Sequence, residues 1–304
     1  MPDVKFKNYL HLHFIVFIWG FTAILGELIT IEALSLVWYR MLMASGFVLL
    51  FVLLKKVSLR ISIKLFFHLC VAGLIIALHW ITFFGAIKVS NVSITLAILS
   101  SGAFFTSLLE PIFYKRKLIW YEVVFGIMVI VGLYIIFNVE GDYTLGIIYA
   151  LCSAFLSSVF SLINGKIAQK YNASMISFYE LASGVGFVTI YLLIMTIIGQ
   201  GAEGFSAGFF HLSTSDWLLL LVLASVCTAY AFIGSVHVMK YLSPYTVMLT
   251  INMEPVYGIV LAFLIFGDSE KMNPGFYYGA LIILGTVILN GIFKNMKKTK
   301  RQSS

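Results

Sequence analysis

The feature that most limits the fold is the recurrence of apolar segments long enough to cross a lipid bilayer. A membrane-spanning helix needs about 20 predominantly apolar residues. Windows of this kind recur ten times, at approximately 10–29, 34–54, 66–87, 92–113, 122–138, 145–164, 175–198, 217–239, 244–266 and 276–293. The 304 residues are 61% hydrophobic and 11% charged, whereas soluble domains are about half apolar and about a quarter charged. We therefore predict an all-α integral membrane protein with ten transmembrane helices and no soluble domain.

The basic residues predict how these helices are oriented. Lys and Arg favour the short loops on the cytoplasmic side of a membrane. When the N-terminus is placed inside, most of the 20 Lys and Arg residues fall in inner segments, while the acidic loop residues fall outside. An even helix count with both termini cytoplasmic satisfies this rule in a cell (inner or plasma) membrane. Topology thus accounts for the net charge of +7, and we expect no nucleic-acid partner.

The two halves of the chain resemble each other. Lys88-Val-Ser-Asn-Val precedes the fourth window and Lys240-Tyr-Leu-Ser-Pro precedes the ninth, at an offset of 152 residues. Residues 1–140 and 141–304 would each hold five helices, and an odd number inverts the second half in the membrane. We therefore predict two inverted five-helix repeats. Transporters of this design bind their substrate near the midplane, between the repeats.

Four short motifs accompany this arrangement. They are Trp19-Gly20 in the first window, Trp38-Tyr39-Arg40 in the second, Pro255 in the ninth, and the Phe266-Gly267-Asp268 that follows it. With these motifs and its ten windows, the chain resembles the EamA branch of the drug/metabolite transporter superfamily over essentially its whole length. The resemblance implies a basket-like ten-helix fold around a central cavity. It also implies the export or exchange of small metabolites, often amino acids.

The ninth window contains the strongest candidate site, because Asn252, Glu254 and Pro255 interrupt it near its middle. A carboxylate at mid-membrane costs about 2.5–3.5 kcal/mol on insertion scales, so it usually faces a polar cavity or a partner. Pro255 removes its own N–H and clashes with the carbonyl of Ile251, which predicts a helix break. On an intact helix Asn252 would point away from Glu254. We predict that Glu254 contacts a substrate amine or carries a proton; the alternative is a structural hydrogen bond within the bundle.

Further polar and aromatic residues lie within other windows. His79 and Trp80 are near the middle of the third window, where the imidazole either lines a cavity or bonds a neighbouring helix. Trp80 would stack on an aromatic or cationic ligand. Trp19, Ser101 and Tyr230 are additional candidates for the cavity wall.

Three charged residues are candidate gates. Arg40 lies about six residues from the outer end of its window, and Glu180 about five from the inner end of its own. At a rise of about 1.5 Å per residue, Arg40 and Glu180 lie more than ~10 Å apart in membrane depth. We therefore expect gates or anchors and not an ion pair. Glu110 lies near the inner end of the fourth window, either as an inner gate or as a partner of the adjacent basic residues.

The sequence contains no metal-spaced His/Glu set, no Gly-rich phosphate loop and no catalytic constellation. We therefore expect neither an enzyme nor a cofactor nor a metal. We predict a secondary transporter, an exporter or exchanger of a small metabolite such as an amino acid, with proton coupling left open. The alternatives are an integral-membrane lipid-handling protein or enzyme, and an uncoupled facilitator. The small-residue motif Gly275-Phe-Tyr-Tyr-Gly279 predicts close helix packing or a homodimer face.

Overall fold

The computed structural model describes residues 4–302 except 116, 118, 200–203, 243 and 252. The described chain is helical and contains no strand within those residues. Its α-helices are α1 (Val4–Leu28), α2 (Ala33–Leu54), α3 (Ile63–Val89), α4 (Val92–Leu99), α5 (Gly102–Tyr114), α6 (Trp120–Val139), α7 (Thr144–Ile167), α8 (Ala173–Ile197), α9 (Thr214–Ala224), α10 (Ala231–Val238), α11 (Pro244–Ile251), α12 (Glu254–Phe266) and α13 (Pro274–Gln302). Short 3₁₀ helices occupy Gly141–Tyr143, Gly208–Phe210 and Gly267–Glu270.

Several helical segments are long and apolar enough to cross a membrane. In the described chain there are seven, namely Phe6–Leu28, Ala33–Leu54, Ile63–Val89, Val92–Tyr114, Gly141–Ile167, Ala173–Ile197 and Thr214–Val238, with a shorter apolar helix at Val123–Val139. Many large apolar side chains lie exposed on the outside of the bundle, where lipid replaces water as the solvent. The all-α, multi-pass membrane class is thus confirmed. The count of ten spanning helices and their inverted arrangement stay predictions.

Two of the predicted spans are each divided into two helices. The fourth span breaks between α4 and α5, and the ninth breaks between α11 and α12. The bounds of the two divided spans differ by the same 152 residues throughout: 92 and 244, 99 and 251, 102 and 254, 114 and 266. The offset found between the sequence motifs therefore recurs in the positions at which these helices begin and end.

A π-helical turn at Ser225–Tyr230 joins α9 to α10. Within it, the Thr228 hydroxyl donates to the carbonyl of Leu223 at 2.7 Å, five residues earlier. In an α-helix each backbone N–H bonds the carbonyl four residues earlier, whereas in a π-helix it bonds the carbonyl five residues earlier, so this turn accommodates an additional residue. The apolar pattern of the window gives no indication of it.

Glycines allow the helices to approach one another closely at particular places. A Cβ at Gly73 in α3 would collide with the backbone carbonyl of Glu180 in α8. A Cβ at Gly132 in α6 would lie 2.9 Å from the carbonyl oxygen of Gly279 in α13, and one at Gly275 would lie 2.8 Å from Val139. The Gly275–Gly279 motif therefore packs on α6 within the chain, so this face of α13 is occupied; a homodimer stays a prediction.

Candidate functional site

The helices enclose a central cavity with a volume of about 80 Å³. This is smaller than typical small-molecule sites, about 300–1,000 Å³, so the walls must move apart to admit a metabolite. Five of the residues singled out from the sequence line it together: Trp19, Arg40, His79, Trp80 and Glu254. They come from α1, α2, α3 and α12, so the fold gathers them from both halves of the chain.

Arg40 is the most buried charged group of the cavity, with 1% of its surface exposed. It belongs to a face of α2 on which Leu36, Ala44 and Val48 recur at intervals of four residues and are buried, the spacing of one helix face. Its Nε donates to Thr228 Oγ1 at 2.7 Å, and its guanidinium carbon lies 4.0 Å from the centroid of the Trp80 ring. Its Nη1 has no hydrogen-bond partner in the described chain. The sequence suggested a gate or an anchor; the structure places Arg40 in the cavity wall, and a gating role stays a prediction.

Glu254 is the first residue of α12 and is 6% exposed. Pro255 follows it at the start of the helix, where its missing N–H leaves no hydrogen bond unmade. The helix N-terminus also carries a partial positive charge that favours a carboxylate. Arg40 is close enough to act electrostatically on Glu254, yet no ion pair joins the two groups among the described residues, and no described residue donates a hydrogen bond to the Glu254 carboxylate. The cavity thus holds two groups of opposite charge, and each has hydrogen-bonding atoms that are not used within the described chain.

His79 is held in one orientation by α7. Its Nδ1 lies 2.9 Å from the carbonyl oxygen of Ser153, so this nitrogen is the donor. The Ser153 hydroxyl donates in turn to the carbonyl of His79 at 3.1 Å. Only Nε2 remains for other partners, and the ring lines the cavity. Both roles considered for His79, a bond to a neighbouring helix and exposure to the cavity, are therefore present in one side chain.

Aromatic rings form much of the remaining wall. Trp19 donates through Nε1 to the carbonyl of Cys227, in the π-helical turn, at 3.2 Å. Phe160 and Phe232 pack together with their centroids 5.5 Å apart, and Phe232 also contacts Trp80 edge to face at 5.8 Å. The wall around Arg40 and Glu254 is thus largely aromatic and apolar, as is typical of small-molecule pockets.

The other sequence candidates lie elsewhere. Tyr230 is 44% exposed and accepts or donates a hydrogen bond with His11 Nε2 at 3.0 Å, in a separate groove. Ser101 is fully buried at the break before α5, and Glu110 lies within α5; neither lines the central cavity. Glu180 is fully buried in α8 beside Asn164. Asn252 lies outside the described residues.

Sequence reasoning missed several cavity residues. Three small hydroxyl residues line the cavity, namely Ser157 and Ser161 of α7 and Ser235 of α10. The Ser161 hydroxyl has no partner in the described chain. Thr228 was missed because only the π turn directs it at Arg40. A sequence signal did exist for two of the serines, because Ser157 and Ser161 are spaced so that their hydroxyls lie on one face of a helix. Among the described residues no cluster of three His, Cys, Asp or Glu side chains is placed to hold a metal ion.

Comparison with known proteins gives a consistent result. The model of the EamA-like transporter family matches residues 8–138 and again 144–292. An uncharacterized transporter of Archaeoglobus fulgidus is 23% identical over 159 residues, which cover 52% of this chain and 53% of that protein. An uncharacterized transporter of Clostridium kluyveri is 26% identical over 232 residues, covering 72% of this chain and 71% of that protein. The chain thus spans about half the length of the first relative.

A solved structure described only as "Crystal structure of protein" is similar in fold. The superposition has a TM-score of 0.66 at 15% sequence identity, and it covers 93% of this chain and 96% of the other. At this identity the likeness concerns the arrangement of the helices alone. The central cavity is therefore set within a fold that has been observed experimentally.

Proposed function

Because the chain belongs to the EamA-like transporter family, we propose that this membrane transporter moves a small zwitterionic metabolite, such as an amino acid, through its central cavity. Arg40 would bind the carboxylate of the substrate and Glu254 its amine. The protein would work as an exporter or exchanger in the cell membrane, with both termini cytoplasmic.

One observation carries the proposal: two opposite charges line one cavity, and neither is fully bonded. Arg40 has an unpartnered Nη1, and the Glu254 carboxylate receives no donor from the described residues. Buried charges are costly unless they are paired and hydrogen-bonded. A ligand that carries one anionic and one cationic group would supply both missing partners, whereas a simple amine or a simple acid would supply only one.

The aromatic wall suits an organic substrate with an apolar part. Trp19, Phe160 and Phe232 surround the charged pair, and Trp80 is already covered on one face by the Arg40 guanidinium. Apolar walls with a few placed polar groups fix the orientation of a small ligand. We therefore expect amino acids with aliphatic or aromatic side chains to be preferred over strongly polar ones.

Alternating access is the mechanism that this arrangement supports best. The family model matches the chain twice in succession, and the breaks in the fourth and ninth spans recur at an offset of 152 residues. Broken helices beside a midplane site are typical of secondary transporters built from repeats. For a lipid-handling protein, the alternative considered from the sequence, we would expect a lateral groove lined by His79 and Glu110. His79 instead lines the central cavity with Glu254.

Counterflow in proteoliposomes tests the proposal. Purified protein is reconstituted into vesicles loaded with a mixture of amino acids, nucleobases and amines, and the compounds that leave are identified by mass spectrometry. Selective loss of amino acids is the expected result. Each preferred amino acid is then compared as a competitor with its des-amino acid and its decarboxylated amine.

Two variants separate the roles of the two charges. Glu254→Gln should reduce competition by the amino acid and the amine while leaving the des-amino acid less affected. Arg40→Gln should instead reduce competition by the amino acid and the des-amino acid while leaving the amine less affected. Lys271→Gln, on an exposed surface residue, is the matched control. Equal effects of both variants on all three competitors would refute the charge assignment, and release of no compound by folded protein would refute the proposed function.

A further inference from the structure

A second buried acid lies outside the central cavity. Glu180 in α8 is 0% exposed, and its Oε1 accepts a hydrogen bond from Asn164 Nδ2 of α7 at 3.0 Å. Its other oxygen, Oε2, has no partner in the described chain, and neither does Asn164 Oδ1. Two acceptor oxygens of one hydrogen-bonded pair are therefore left without a donor, at a place that water does not reach.

Glu180 also has no counter-charge bonded to it among the described residues. Its helix packs against α2, α3 and α10, and Asn164 adds α7. None of the basic and imidazole groups on these helices hydrogen-bonds its carboxylate in the described chain; they are Arg40, Lys64, His68, His79, Lys88, Lys166 and His237. A carboxylate ion in this position would be buried without a counter-ion, and only one of its two oxygens would accept a hydrogen bond. Such a charge is strongly destabilising. A proton on Oε2 removes the charge and turns an unpaired acceptor into a donor.

Glu180 lies close, along α8, to a groove that is open to water. Glu180 lies six residues after Ser174, or about 9 Å along the helix. Ser174, with Asn172, lines an open groove at the beginning of α8. The groove also contains His237 and Lys240. A modest opening between α8 and α10, which pack together and both line this groove, would therefore bring water from it to the carboxyl group.

We propose that Glu180, held by Asn164, is the site that carries the coupling proton of this transporter, separate from the substrate site at Arg40 and Glu254. The proton binds Glu180 Oε2 from water on one side of the membrane and returns to water on the other, with no other bond formed or broken. The inference rests on the proposed function, because coupling requires a transported substrate. A metal cation is disfavoured, since hard cations are held by several oxygen ligands and the described pair leaves only two free.

The experiment has a transport part and a spectroscopic part. In the transport part, Glu180→Gln is compared with wild-type protein in vesicles that contain a pH-sensitive dye. Counterflow without a gradient should be retained, since the substrate site is intact. Substrate-driven proton movement and accumulation driven by a pH gradient should be lost. Glu27→Gln, which changes an exposed carboxyl at the end of α1, is the matched control and should behave as wild type.

The spectroscopic part needs no substrate. Infrared difference spectra of the reconstituted protein report the carbonyl stretch of protonated carboxylic acids, which is resolved from that of carboxylates. We expect a band at neutral pH that disappears in Glu180→Gln and shifts in Asn164→Leu, because the hydrogen bond to the carboxyl is lost. Asn164→Leu also provides a second variant if Glu180→Gln fails to fold.

The outcomes separate the two proposals. A pH-gradient response that persists in folded Glu180→Gln, or wild-type spectra without the Glu180 band, would overturn the proton site. Dependence on a Na⁺ gradient that Glu180→Gln abolishes would likewise overturn it in favour of a cation. If wild-type protein releases no tested metabolite, the proposed function fails, while the infrared band still decides whether Glu180 holds a proton.

Discussion

Thr228 offers the most direct test of how the cavity is built. Its hydroxyl accepts a hydrogen bond from Arg40 Nε at 2.7 Å and donates one to the carbonyl of Leu223 at 2.7 Å. Thr228→Val removes both bonds while nearly preserving the shape of the side chain. Arg40 then loses its described hydrogen-bond acceptor, and the carbonyl of Leu223 loses the donor that reaches it across the π turn.

The magnitude follows from the two bonds. A hydrogen bond to a charged group contributes about 1.5–3 kcal/mol, and a neutral one about 0.5–1.5 kcal/mol. Because little volume changes, no large cavity term is added. We expect Thr228→Val to lower the free energy of unfolding by about 2–4 kcal/mol. If the freed guanidinium also loses about 1.4 kcal/mol of its interaction with substrate, the apparent affinity falls roughly tenfold.

The assay compares three proteins. Wild type, Thr228→Val and Thr228→Ser are unfolded by titration with SDS in mixed micelles, and their counterflow is measured at several substrate concentrations. Thr228→Ser keeps the hydroxyl and should retain most of the stability and affinity. If Thr228→Val and Thr228→Ser are equal in both measurements, the hydroxyl does not position Arg40 and the reasoning is wrong.

Two further predictions concern packing and orientation. Gly73→Ala places a methyl group against the backbone carbonyl of Glu180 and should lower the free energy of unfolding by about 1–3 kcal/mol or more. Gly46→Ala has open space around it and should be neutral in the same SDS titration; equal effects would contradict the tight α3–α8 contact. With the N-terminus inside, Lys55→Cys should react with a membrane-impermeant thiol reagent only in inverted vesicles, and Asp142→Cys only in intact cells. The reverse labelling would overturn the predicted orientation.

Much of the fold was predictable because the membrane imposes a simple rule. Backbone groups in lipid must be bonded within the segment, so long apolar windows become helices. The helix bounds of the structure lie close to the windows read from the sequence, as in α2, Ala33–Leu54 against 34–54. The division of the ninth span was also visible in advance, since a proline beside a buried acid disfavours a continuous helix. The matching division of the fourth span, at Ser100-Ser101, contains no proline and was not foreseen.

The candidate site was predictable in its residue types and not in its geometry. Glu254, His79 and Trp80 stand out because polar groups at mid-membrane are costly. Arg40 was assigned to a gate by its depth within one helix, but the buried stripe on α2 places it in the cavity wall. Depth along a helix is read from the sequence, whereas the direction of a side chain depends on which face packs inward. The hydroxyl of Thr228 carries no signal of its own until the neighbouring helices are in place.

The π-helical turn at Ser225–Tyr230 determines which face of the following helix, α10, is directed at the cavity. One additional residue turns the following helix by about 100° around its axis. Phe232 and Ser235 of α10 face the cavity in this register. A deletion of one codon within the turn would therefore rotate a whole wall of the cavity at once, while α9 stayed in place. Relatives that differ by such a deletion should differ in substrate more than their percentage identity suggests.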